Sequence, residues 1–71
     1  MIYAFQKETF YYDDRLTDRY AFCVRAIQYM THWHVWVVWY NFNDERIEEN
    51  KRWYVDKKNL IHWHYGKHGP N

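Results

Sequence analysis

The sequence predicts a two-layer α+β fold, one helix packed on a mostly antiparallel four-stranded sheet in the order β-α-β-β-β. Three observations carry that expectation. Thr31 to Phe42 is a run of aromatic and β-branched residues with no Gly or Pro, and such residues fit a pleated surface. Leu16, Tyr20, Cys23, Val24, Ile27 and Met30 recur at helical spacing. Arg46 to Val55 alternates after a short polar turn, as the second arm of a hairpin does.

Taken in order, Ile2 to Tyr12 alternates loosely, with Tyr3, Phe5 and Tyr11 against Ile2, Ala4 and Phe10. Its polar middle predicts an edge strand. Asp13 and Asp14 suit the start of a helix, since carboxylates cap free N–H groups and complement the positive end of the dipole. The stripe from Leu16 to Met30 then predicts a helix ending near Thr31. Tyr20, Phe22, Val24 and Ala26 also alternate, but the stripe runs for four turns and the helix is preferred. On that helix Phe22, Ala26 and Tyr29 fall well away from the stripe, with Asp18 and Arg25 on their side.

The Thr31 to Phe42 strand shows Trp33, Val35, Val37 and Trp39 on one face and His32, His34, Trp36, Val38, Tyr40 and Phe42 on the other. Both faces are apolar, as in a central strand. Asn43-Asp44-Glu45 reads as a turn. A helix from Glu45 to Arg52 competes with a strand there, and the short turn favours the hairpin. If Phe42 pairs with Arg46, Trp33 and Val35 share a face with Val55 and Trp53. Asp56 to Asn59 is the next turn and Leu60 to Tyr65 the last strand, with Ile61 and Trp63 turned inward because burying unpaired His62 and His64 is costly. One compact domain over residues 1–65 and a loose tail over 66–71 are expected, the tail holding both Gly and the single Pro.

Seventy-one residues lie near the lower limit for a self-sufficient core. Cys23 is the only cysteine, so no disulfide can form within the chain, and a lone thiol with no leader-like segment predicts a cytoplasmic protein. The longest apolar run, Val35 to Tyr40, is short of the ~20 residues that cross a bilayer, and no membrane association is expected. A net charge of +1 gives no strong steering toward nucleic acid. Aromatics form 24% of the chain; filling a small core with large side chains is the main reason, and an interface, which enriches them, a substantial second.

His32-Trp33-His34 and His62-Trp63-His64 are the sharpest local pattern. A His-x-His strand points two imidazoles one way, and four could hold a metal. The Arg46 to Val55 strand should lie between the pairs, about 9–10 Å of separation, so no metal or other cofactor is expected. Aromatics with Arg52 and His on an open sheet could stack bases of a nucleic acid, although Glu48 shares that face. Catalysis has little support. The chain has no Ser and no phosphate-binding Gly loop, Cys23 lies on the core stripe, and Asp13-Asp14 and Glu48-Glu49 read as a cap and a solvated strand. A non-catalytic binding module is expected, engaging another protein or a second copy of itself. Its anchors are Trp36, Tyr40 and Phe42 with Arg52 and Tyr54 beside them, and Phe22 and Tyr29 form a second patch. Size and composition resemble those of a small virus-encoded inhibitor that blocks a partner sterically.

Overall fold

The computed structural model describes residues 1–67. It has five strands, β1 (Thr9–Asp13), β2 (Arg19–Gln28), β3 (His32–Asn41), β4 (Arg46–Asp56) and β5 (Trp63–Tyr65), with a 3-10 turn over Lys57–His62 between the last two. All pairings are antiparallel, in the spatial order β4-β3-β2-β1-β5. The chain leaves one edge of the sheet after β4 and crosses to the other to form β5. Trp39 on β3 and Trp63 on β5 approach to 6.2 Å between ring centroids. Three strand spacings separate those strands, roughly 14 Å in a flat sheet, so the sheet curls and encloses its concave face.

This overturns the α+β expectation. The segment read as a helix is β2, with β1 on one side and β3 on the other. The cause is a bulge between Cys23 and Arg25. An extra residue breaks the two-residue period. Ala21 and Cys23 face the core, and after the bulge Ala26 does. The residues at helical spacing do not share one side: Cys23 is buried in the core and Tyr20 under the outer face, while Val24 and Met30 lie on the surface, Met30 91% exposed.

Both ends of the chain also differ from expectation. Only Thr9–Asp13 of the first segment is a strand. Residues before it fold over the concave face, where Ile2 and Phe5 are buried. Leu60 to His62 belongs to the 3-10 turn rather than to the last strand, so Ile61 points to solvent while Leu60 and Trp63 are buried. Asp56 caps that turn by accepting the Lys58 N–H at 3.3 Å. Of the expected tail, Gly66 donates its N–H to Phe10 O at 2.8 Å, and residues 68–71 lie outside the described residues.

The hairpin arm is a strand, and its register matches the expected one over most of its length. Trp33 pairs with Val55 and Val35 with Trp53. Register shifts near the 41–45 turn then bring Tyr40, not Phe42, opposite Arg46. Asn50 takes a positive φ of 47° there, a conformation Asn tolerates better than most residues. Trp33, Val35, Val37 and Trp39 all face the core. Among the described residues no helix is long and apolar enough to cross a membrane.

Cys23 is fully buried and burial pushes its thiol up to about 11. The thiolate is the reactive form. Ellman's reagent at pH 8 is therefore expected to modify the native protein only as fast as it unfolds, and the urea-unfolded chain within minutes. Fast labelling of native protein would place Cys23 at an accessible site.

Candidate interface on the outer face

The convex face of the sheet opposes the core and collects side chains from β1 to β4. Cross-strand pairing sets them in rows. Phe10 lies opposite Phe22 and Phe22 opposite Val38. Tyr20 lies opposite Tyr40. Arg25 lies opposite Trp36 and Trp36 opposite Arg52. Ile27 faces His34, which faces Tyr54. The expected anchors Trp36, Tyr40, Arg52 and Tyr54 therefore share one face. Phe22 and Tyr29, placed on a helix back by sequence, come to the same face. The bulge that ended the helical reading is what turns Arg25 outward beside Trp36.

The face has two halves. Near the 41–45 turn it covers itself. Tyr20 is 2% exposed, stacked on Tyr40 at 5.4 Å and on Phe42 at 6.2 Å. Its hydroxyl donates to Asp44 at 2.5 Å. The Lys67 ammonium sits over Phe10 at 4.9 Å and Tyr20 at 5.1 Å and within 3.7 Å of Asp44. Burial first, then the Asp44 hydrogen bond and charge, pushes the Tyr20 phenol up to about 12. The same hydrogen bond holds Asp44 below the usual carboxylate range, with Lys67 adding to it. Tyr40 and Phe42 are thus partly spent in roofing Tyr20.

Tyr20 gives a pH prediction. Its phenol titrates near 10 in the unfolded chain and near 12 in the folded one. Stability from this residue is complete below pH 10 and falls as pH rises through 12. Tyr20→Phe removes that dependence, so its alkaline melting curve should lie flatter than the wild type's between pH 10 and 12. Parallel curves would show that Tyr20 ionises freely.

The other half, toward the β2–β3 turn, is open. Tyr54 is 59% exposed and Tyr29 43%. His32 lies between them, stacked 4.9 Å from Tyr29 and 4.2 Å from Tyr54. His34 touches Tyr29 at 4.8 Å and His32 at 5.0 Å. The Arg25 guanidinium covers the Trp36 ring at 4.7 Å. Desolvation, Arg52 and His32 lower the His34 pKa, in that order, so the ring is held neutral at pH 7. The rings lock one another in place and turn edges, hydroxyls and guanidiniums outward.

The two His-x-His pairs do not meet. His32 and His34 lie on β3 and His64 on β5, three strand spacings away in the order β3-β2-β1-β5. His62 Nδ1 and His64 Nε2 instead bracket Asp14 at 3.1 and 2.8 Å, and His64 stacks on Tyr12 at 4.9 Å. Hydrogen bonds from His64 and then His62 lower the Asp14 pKa. This clasp ties the β1–β2 loop to β5. Among the described residues no group of three or more His, Cys, Asp or Glu is set to hold a metal. Asp13, read as a cap, is buried and grips Arg15 through both oxygens at 3.0 and 2.7 Å.

A scan against protein-family models finds no match, and comparison with curated proteins and with solved structures finds none either. The functional reading therefore rests on the geometry of this face.

Proposed function

We propose that the protein is a non-catalytic module that binds another protein through the open half of its outer face and acts by occupying the partner's surface. The observation that carries this reading is the pre-stacked array of Tyr29, His32, His34, Trp36 and Tyr54 beside Arg25 and Arg52. Trp, Tyr and Arg are the residues that anchor protein interfaces. Side chains already held in place lose little freedom on binding.

The same geometry disfavours a base-stacking platform. Single-strand binders offer open ring faces to bases. Here both faces of His32 meet tyrosines and one face of Trp36 meets Arg25. A virus-encoded inhibitor is one form such a blocking module could take.

The test is selection of a displayed random-peptide library against the folded protein. Selected peptides should compete for one site and lose about tenfold to a hundredfold in affinity on Trp36→Ala. The unfolding midpoint of that variant should stay near wild type, because Trp36 is outside the core cluster. Peptides that bind the variant as well as the wild type would end this reading.

A further inference from the structure

We infer that the row Arg25–Trp36–Arg52 receives acidic side chains of the partner, so that the protein recognises an extended segment with Asp or Glu at alternate positions. This rests on the interface reading above and adds the chemistry of what binds there.

Charge placement carries it. The chain has ten Lys and Arg against nine Asp and Glu, and the acids pair with only some of the bases. Arg15, Arg19, Arg46, Lys51 and Lys67 each lie within 4 Å of a carboxylate. Among the described residues Arg25 and Arg52 have no such partner, and their guanidiniums make no hydrogen bond. They flank the half-buried Trp36 on the two neighbouring strands. Lys57 and Lys58 follow at the end of β4, also without a carboxylate. The one acid at that end, Asp56, is engaged in capping the 3-10 turn.

The row is also rich in donors and poor in acceptors. Guanidinium and indole groups only donate, and the Tyr54 hydroxyl beside them has no partner among the described residues. A carboxylate offers what this surface lacks, with the planar fork of Arg matched to it. An extended segment turns every second side chain to one face, so acids at alternate positions meet the two guanidiniums on either side of Trp36.

The probe is a fluorescent peptide repeating Glu-Tyr-Glu-Leu, with a Gln-Tyr-Gln-Leu peptide and a thymidine oligonucleotide of equal length as comparisons. Anisotropy should show the acidic peptide binding at least about tenfold tighter than the glutamine peptide, weakening as salt rises through physiological strength. Arg25→Gln and Arg52→Gln should each weaken it about tenfold, and Lys7→Gln should leave it unchanged. Equal binding of the two peptides, both lost on Trp36→Ala, would overturn this inference and leave the interface standing. Peptide binding indifferent to Trp36→Ala would overturn the interface and the inference together. Tighter binding of the oligonucleotide than of the acidic peptide would assign the row to nucleic acid and overturn the inference.

Discussion

Trp39→Ala should cost about 3–5 kcal/mol, as large-to-small changes at fully buried aromatic sites do. Trp39 has no exposed surface. Its ring meets Trp53 edge-on at 5.2 Å and Trp63 at 6.2 Å, and the Arg19 guanidinium lies 5.7 Å from its centroid. These contacts join β3 to β4 on one side and to β5 across the curl on the other. A domain of this length holds on the order of 4–10 kcal/mol in all, so the variant should be partly unfolded at 25 °C or melt far below the wild type. Urea unfolding followed by tryptophan fluorescence gives the number. A loss below about 1 kcal/mol would mean that the concave face is not packed as described.

Trp39→Phe separates ring packing from the indole N–H. Among the described residues the Nε1 atoms of Trp33, Trp39, Trp53 and Trp63 are buried with no hydrogen-bond partner. A buried donor left unpaired costs about 1–3 kcal/mol. Phenylalanine discards that penalty along with part of the ring, so the two effects oppose, and a net loss under about 1.5 kcal/mol is expected. A core built from tryptophans tolerates their unpaired N–H groups because each ring covers more apolar surface than any other side chain could.

The strand at the centre of the fold was legible because its two-residue period is uninterrupted. Trp33, Val35, Val37 and Trp39 face the core as read, and the Trp33–Val55 and Val35–Trp53 pairs are as expected although Tyr40, not Phe42, lies opposite Arg46 and register shifts between Val37 and Tyr40 make up the difference. β2 was misread because its period is interrupted. Tyr20, Phe22, Val24 and Ala26 alternate in sequence, but the longer run at helical spacing outweighs them, and the bulge at Val24 turns Ala26 to the core side, on the other face from Phe22. Periodicity within one segment cannot reveal a bulge whose cause lies in its pairing partner.

The site was legible as a set of residues but not as a place. Trp36, Arg52 and Tyr54 belong to strands whose register could be argued, and they share a face. Phe22, Ala26 and Tyr29 were grouped with Arg25 on the back of a helix; Phe22, Arg25 and Tyr29 do share the outer face, while Ala26 packs against the core. The antiparallel pairing of β2 with β3 joins the two groups, and a helical reading of β2 hides that pairing. The strand order β4-β3-β2-β1-β5 parts the His-x-His pairs, although their spacing is the most conspicuous motif in the chain.

Closure also makes the residues before β1 part of the core, and Phe5→Ala is expected to show it with a loss of about 3–4 kcal/mol. Phe5 is 5% exposed and meets Tyr11 at 5.0 Å, Trp63 at 5.2 Å and Trp33 at 5.7 Å, all edge-on. It wedges β3 against β5 where no backbone pairing joins them. The Gln6 N–H donates to the Tyr11 hydroxyl at 2.6 Å and the Glu8 N–H to Cys23 O at 2.6 Å, which hold the segment down on the core side. Tyr3, two residues earlier, is 81% exposed, and Tyr3→Ala should cost no more than about 0.5 kcal/mol. An edge strand that merely alternated would make the two substitutions similar. Amide exchange adds a second readout. With the wedge gone, Trp63 to Tyr65 should lose protection ahead of β2 and β3, since β5 is a three-residue edge strand paired only with β1. Equal effects of the two substitutions, or unchanged exchange in β5, would show that the fold closes without its N-terminal segment.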